Sequence, residues 1–228
     1  LGQCFRLTGR PPERNDLPDF TLKTNPMTII LIAITVAVSF AALKSAKLMD
    51  QLQFNASKIV YKKEYHRLIT HAFVHASWEH LFVNMIVLFS FGRAIEFYFK
   101  ENFGSKHIQY FFILYFGGIL VSNIYALIKH HKNYFYNAVG ASGAVASVLF
   151  AAIFFDPWNN IYFFGILPIP GIVFAGLYLV YSYQMSNKQK DNVAHDAHFL
   201  GALFGFVFPI LLNPMLFETF IDKLFRTI

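Results

Sequence analysis

Long stretches of this chain carry almost no charge, and they constrain its fold more than any other feature. They are residues 27–43, 80–99, 108–128, 138–155, 161–183 and 197–213. A helix needs roughly 20 apolar residues to cross the hydrocarbon core of a bilayer, with about 17 as the lower limit. The first, third, fourth and fifth stretches contain no Asp, Glu, Lys or Arg, and the second carries Arg93 and Glu96 only near its end. Charged residues make up 14% of the chain, against about 25% in soluble domains. This pattern predicts an all-α integral membrane protein with six transmembrane helices. The formal charge of +6 is not gathered into basic clusters. It therefore points to membrane lipids as partners and not to nucleic acid. The single cysteine, Cys4, excludes an internal disulfide.

Residues 1–26 differ in kind. They hold four of the nine prolines and several charges, which predicts a poorly ordered polar tail. Met27 is then a candidate natural start, and residues 27–228 form the membrane domain. The connection over 44–79 is rich in Lys, His and aromatics and ends beside Trp78, as expected of a segment lying on the membrane surface. Pro168 and Pro170 predict a kink or loosened turn in the fifth stretch. Lysine and arginine divide almost evenly between the two sides, so charge does not fix the orientation.

Spans alternate in direction, so the second, fourth and sixth begin on the same side. Their first turns contain His80 and Asn84, then Ser142, then His198. Parity alone thus puts a hydroxyl, two imidazoles and an amide at similar depth. Polar groups in a membrane are costly unless they face a partner or a wet cavity, so four at one depth favour a common site. His80 and Asn84, four apart, share a helix face. Gly140-Ala141-Ser142-Gly143 opens the fourth span. A helix start there offers free N–H groups and partial positive charge, which suits a developing oxyanion.

Gly201 and Gly205 follow His198 on one face, and Gly143, Ser147 and Ala151 form a second ridge of small residues. Two such ridges let helices pack close, which would bring the His198 ring to the Ser142 hydroxyl, as a nucleophile and its base require. A valine at 201 would push the helices apart, while a single methyl there is expected to fit. Asp196, two residues before His198, points to another face, so the reading is a Ser–His dyad and not a triad.

These residues resemble the rhomboid family over roughly residues 61–205. Glu64-Tyr65-His66-Arg67-Leu68-Ile69-Thr70 resembles the family's interfacial loop, with His66 where a Trp is common. His75, then His80 and Asn84, then Gly92 and Glu96, resemble the second-span signature. Gly140-Ala141-Ser142-Gly143 resembles the nucleophile motif, and Ala197-His198 with Gly201 and Gly205 the base motif. Ala146 stands where relatives often carry an aromatic stacked on the catalytic imidazole.

The resemblance implies a six-helix rhomboid-like protease domain with a cavity open to the extracytoplasmic side. It implies an intramembrane serine endopeptidase of the bacterial type, in an inner membrane. Ser142 would be nucleophile and His198 base, with His80, Asn84 and the Ser142 N–H as the oxyanion hole. The fifth span would move as a lateral gate. Substrates would be single-pass transmembrane proteins, and no cofactor or metal is implied.

Three competing readings are weaker. His71 and His75 could join His195 and His198 on a metal, but the membrane-metalloprotease pattern HExxH is absent. A transporter would show inverted repeats with broken spans in both halves. A catalytically inactive relative that binds or escorts membrane proteins would not need both Ser142 and His198.

Overall fold

The computed structural model describes residues 27–163, 166–188 and 194–226. The polar tail expected over 1–26 lies outside the described residues. The order of the principal elements is α1 (Met27–Leu43), α2 (Ala46–Leu52), α3 (Ala56–Lys62), α4 (Arg67–Thr70), α5 (Trp78–Phe103), α6 (His107–Ser122), α7 (Ile124–His130), α8 (Ser142–Phe155), β1 (Asn160–Phe163), β2 (Leu167–Pro170), α9 (Gly171–Lys188), α10 (His195–Leu212) and α11 (Met215–Arg226).

The centre is α8. Every residue from Gly143 to Phe155 is buried, as expected of a helix that is apolar all round. It is surrounded by α5, α6, α9 and α10. The outer helix α1 has the opposite character. Thr28, Leu31, Thr35, Ser39 and Ala42 face inward, while Ile29, Ile30, Ile34, Val36 and Phe40 are exposed. Small and polar residues inside with large aliphatics outside is the pattern of a helix whose solvent is lipid. Glu96 of α5 secures the start of α1. Its Oε1 accepts from the Thr28 N–H at 2.6 Å and the Thr28 hydroxyl at 2.9 Å, serving a first-turn donor that has no intrahelical partner.

Two helical stretches, Trp78–His130 and His195–Leu212, are long and apolar enough to cross a membrane, and Met27–Leu43 and Ser142–Phe155 are shorter apolar helices. The second and sixth helices run slightly beyond or short of their expected ends, as Trp78–Phe103 and His195–Leu212, and three other boundaries shift for identifiable reasons. The fourth helix begins at Ser142, not 138, because the preceding residues bond elsewhere. Ala138 exchanges two backbone hydrogen bonds with Phe54, and the Gly140 N–H donates to His71 O at 2.9 Å. The third stretch breaks at Asn123, whose amide nitrogen lies 2.9 Å from Ile119 O and 3.0 Å from His71 Nε2. The fifth helix begins at Gly171, not 161. Pro168 and Pro170 carry no N–H and bias the residues before them toward extended backbone, so β1 and β2 pair as antiparallel strands, Asn160 with Pro170 and Tyr162 with Pro168.

The connection after α1 is folded, not extended. Ser45 and Asn55 cap α2 and α3 through side-chain oxygens. The buried Arg67 side chain ties the segment together. Its Nε lies 2.6 Å from Glu64 Oε2, and its Nη1 donates to the carbonyls of Asp50 and Gln53. The guanidinium holds the Glu64 carboxyl below its ordinary range. At the other end of the bundle, Lys223 of α11 donates to Phe155 O at 2.7 Å, serving one of the four carbonyls that the last turn of α8 leaves open.

Candidate active site

Ser142 is the first residue of α8 and is half-buried. The first N–H groups of a helix have no intrahelical acceptor, so the serine sits where donors and partial positive charge converge. The approach to it is shaped by Gly140, at φ +111°, a region that L side chains rarely adopt. A Cβ at Gly140 would lie 2.6 Å from His80 Cε1 and 2.9 Å from its Nε2. The His80 ring is thus packed on the loop two residues before Ser142.

His75 and His71 hold that loop from below. The Ser39 hydroxyl lies 2.9 Å from both Phe73 O and His75 Nδ1. With its one proton donated to the carbonyl, Ser39 must accept from Nδ1–H. His75 Nε2 then carries a lone pair and accepts from the Ala141 N–H at 3.4 Å. The His71 Nδ1–H donates to Arg67 O at 2.8 Å, which leaves its Nε2 to accept from Asn123. Burial lowers His71 to about 4 and His75 to about 3, His80 adding to the second shift. Both rings are neutral, with both nitrogens engaged, so neither offers a lone pair to a metal. Among the described residues no group of three or more His, Cys, Asp or Glu could hold one.

Asn84 is buried, and its side-chain amide donates to His80 O on its own helix at 2.9 Å. An amide carries two donor hydrogens, so one remains for another acceptor. His80 thus sits beside the loop before Ser142, and Asn84 follows it one turn further along α5.

The second wall is α10. A Cβ at Gly201 would fall on the Gly143 backbone, and one at Gly205 on the Ser147 backbone. Ser147 Oγ lies 2.8 Å from Gly201 O and 3.0 Å from Gly143 O. The two small-residue ridges therefore meet, and the contact lies one residue after Ser142 and three after His198. The His198 ring is half-buried. It stacks on Tyr178 of α9 with centroids 6.4 Å apart and planes 18° apart, and meets the His195 ring edge-on at 5.9 Å.

The family model of the Rhomboid domain matches residues 62–214. This chain belongs to the rhomboid family. The matched region runs from the end of α3 to just past α10, so it takes in α5, α8, α9 and α10, which carry His80, Asn84, Ser142, Tyr178 and His198. Among its relatives is RHOMBOID-like protein 12, mitochondrial, of Arabidopsis thaliana, 30% identical over 153 residues. That match covers 60% of this chain and 43% of the relative, so the chain spans less than half of that protein's length. Rhomboid proteins are membrane-embedded, in keeping with the apolar helices. The relative's name places that protein in mitochondria, and a bacterial inner membrane finds no support from it.

Sequence reasoning missed Ser39 and Tyr178. Ser39 had a signal: Thr28, Thr35 and Ser39 recur at spacings of seven and four, one face of a helix that needed an inward partner. Tyr178 had none, because nothing in a sequence spacing tells which of many aromatics on α9 meets α10.

Proposed function

We propose that this protein is an intramembrane serine endopeptidase that cleaves transmembrane segments of single-pass membrane proteins by a Ser142–His198 dyad. One observation carries the reading: the backbone contact of Gly143 with Gly201, which joins the helix starts bearing the two residues. The six apolar helices α1, α5, α6 with α7, α8, α9 and α10 fit six spans. The short α8 is no obstacle, because it is enclosed by its neighbours and need not meet lipid along its length.

In the proposed reaction the Ser142 hydroxyl attacks the scissile carbonyl while His198 takes its proton. His198 then returns that proton to the leaving amine, and water hydrolyses the acyl-serine by the same route. The Ser142 N–H is suited to the oxyanion because it heads α8. His80 and the second hydrogen of the Asn84 amide are the other candidate donors. A preorganised donor of this kind is worth about 10² to 10³ in kcat.

Labelling with a fluorophosphonate tests the dyad directly. Wild type is expected to take up one label on Ser142, located by peptide mass spectrometry, with Ser142→Ala unlabelled and His198→Ala labelled at least about 10²-fold more slowly. Folded wild type that takes no label on Ser142 would overturn the reading and favour a binding or escort role.

A further inference from the structure

Ala146 lies four residues after Ser142 and is 3% exposed, so its methyl reaches the core but cannot hold a ring. The space beside it is filled from another helix. We propose that Tyr178 of α9 is the positioning residue for the His198 imidazole, supplying across the helix interface what the position of Ala146 cannot supply within α8; this rests on the reading of His198 as the base.

Three small residues make the room. Ala146 of α8, Ala175 of α9 and Ala202 of α10 are all buried in one cluster with Phe150, and Tyr178 packs against that cluster. Ala175 precedes Tyr178 by three positions and Ala202 follows His198 by four, so each lies one turn from the ring it admits. Tyr178 is itself fixed on two further sides. Its ring meets Phe150 at 5.4 Å and stacks on Phe174 at 5.8 Å with planes 28° apart. The nearly parallel His198 ring completes the set at 6.4 Å, within the range of offset stacking. With the edge of His195 at 5.9 Å, the imidazole is braced by two rings from two helices. A displacement of α9 carries Tyr178 with it, so the alignment of His198 depends on where α9 sits.

The test compares full-length Tyr178→Leu and Tyr178→Phe with wild type in detergent, with matched helicity by circular dichroism. Leucine keeps apolar bulk without a ring, and phenylalanine keeps the ring without the hydroxyl. Cleavage of a transmembrane substrate gives kcat and KM, and ¹⁵N-histidine spectra report the His198 ring, with His71 as an internal control. Tyr178→Leu is expected to lower kcat about 10- to 100-fold with KM changed less than about threefold, as a misplaced catalytic group does. It should broaden or shift the His198 signals and leave those of His71 in place. Tyr178→Phe should stay within about threefold of wild type. Folded Tyr178→Leu with wild-type kcat, or with unchanged His198 signals, overturns the proposal. If wild type neither cleaves nor labels, the protease reading fails, and the spectra alone decide whether Tyr178 holds the ring.

Discussion

Ser142 owes its setting to residues that do no chemistry. Its loop is hung from two neutral histidines, His71 through the Gly140 N–H and His75 through the Ala141 N–H. Both are held uncharged by burial, at about 4 and about 3, while an unfolded histidine titrates near 6.5. Their folded values are depressed, so below about pH 6.5 the unfolded chain binds more protons than the folded one. The stabilisation is fully present above about pH 6.5. It falls away as pH drops toward about 4 for His71 and about 3 for His75. Thermal unfolding in detergent should therefore show a lower midpoint at about pH 5 than at about pH 7.5, and His75→Asn should shrink that difference. Equal midpoints for wild type at the two pH values would contradict the tautomer assignment, which needs both rings neutral. His75 was visible in the sequence as part of a motif. Its partner Ser39 was not connected to it, because 36 positions separate them and a hydrogen bond across two elements leaves no periodic trace.

Helix packing is where the sequence was most legible. The ridge Gly143 and Ser147 against Gly201 and Gly205 was readable because small residues at helical spacing mark close approach, and the structure places backbone against backbone there. The expectation that alanine fits at 201 is corrected. Its Cβ would meet the Gly143 backbone closer than real Cβ atoms come, and backbone cannot yield as a flexible side chain does. Gly201→Ala is therefore expected to lower the proposed activity by at least about tenfold, and Gly201→Val to abolish it, overpacking costing about 1 to 3 kcal/mol and a shift of about 1 Å at the proposed dyad about 10²-fold in rate. Kinetics on purified protein with matched helicity checks this, and wild-type rates in folded Gly201→Val would refute the packing. Element ends were less legible. Hydropathy ran the fifth span back to 161 because Ile161, Tyr162, Phe163 and Ile166 are as apolar as a helix core. The prolines turned that stretch into the paired strands β1 and β2, and residues 138–141 left α8 because the 44–79 segment gave their backbone other partners. The amphipathic α11 does not show as an apolar stretch because Glu218, Asp222 and Lys223 interrupt the run of apolar residues along the sequence.

At the scale of the whole molecule, the arrangement of polar groups suits a protein whose solvent is lipid. Large aliphatic and aromatic side chains such as Ile30, Phe40, Phe82, Val83, Leu177 and Leu203 face outward, and the buried polar residues Ser39, His71, His75 and Asn123 form a linked set that holds the loop before α8. That helix has 14 residues, a rise of about 21 Å, against about 30 Å of hydrocarbon. In the proposed reading the Phe155 end, held by Lys223, lies toward one surface, and a helix this short then leaves Ser142 below the other. Hydrolysis within the membrane needs a serine recessed in this way, at a depth reached by both a transmembrane substrate and water. The most direct test is a purified single-pass substrate in proteoliposomes with wild type or Ser142→Ala, the products located by mass spectrometry. A cut within the transmembrane segment by wild type and none by Ser142→Ala is the expected result. Folded wild type that leaves such substrates intact, or equal cleavage by Ser142→Ala, would contradict it.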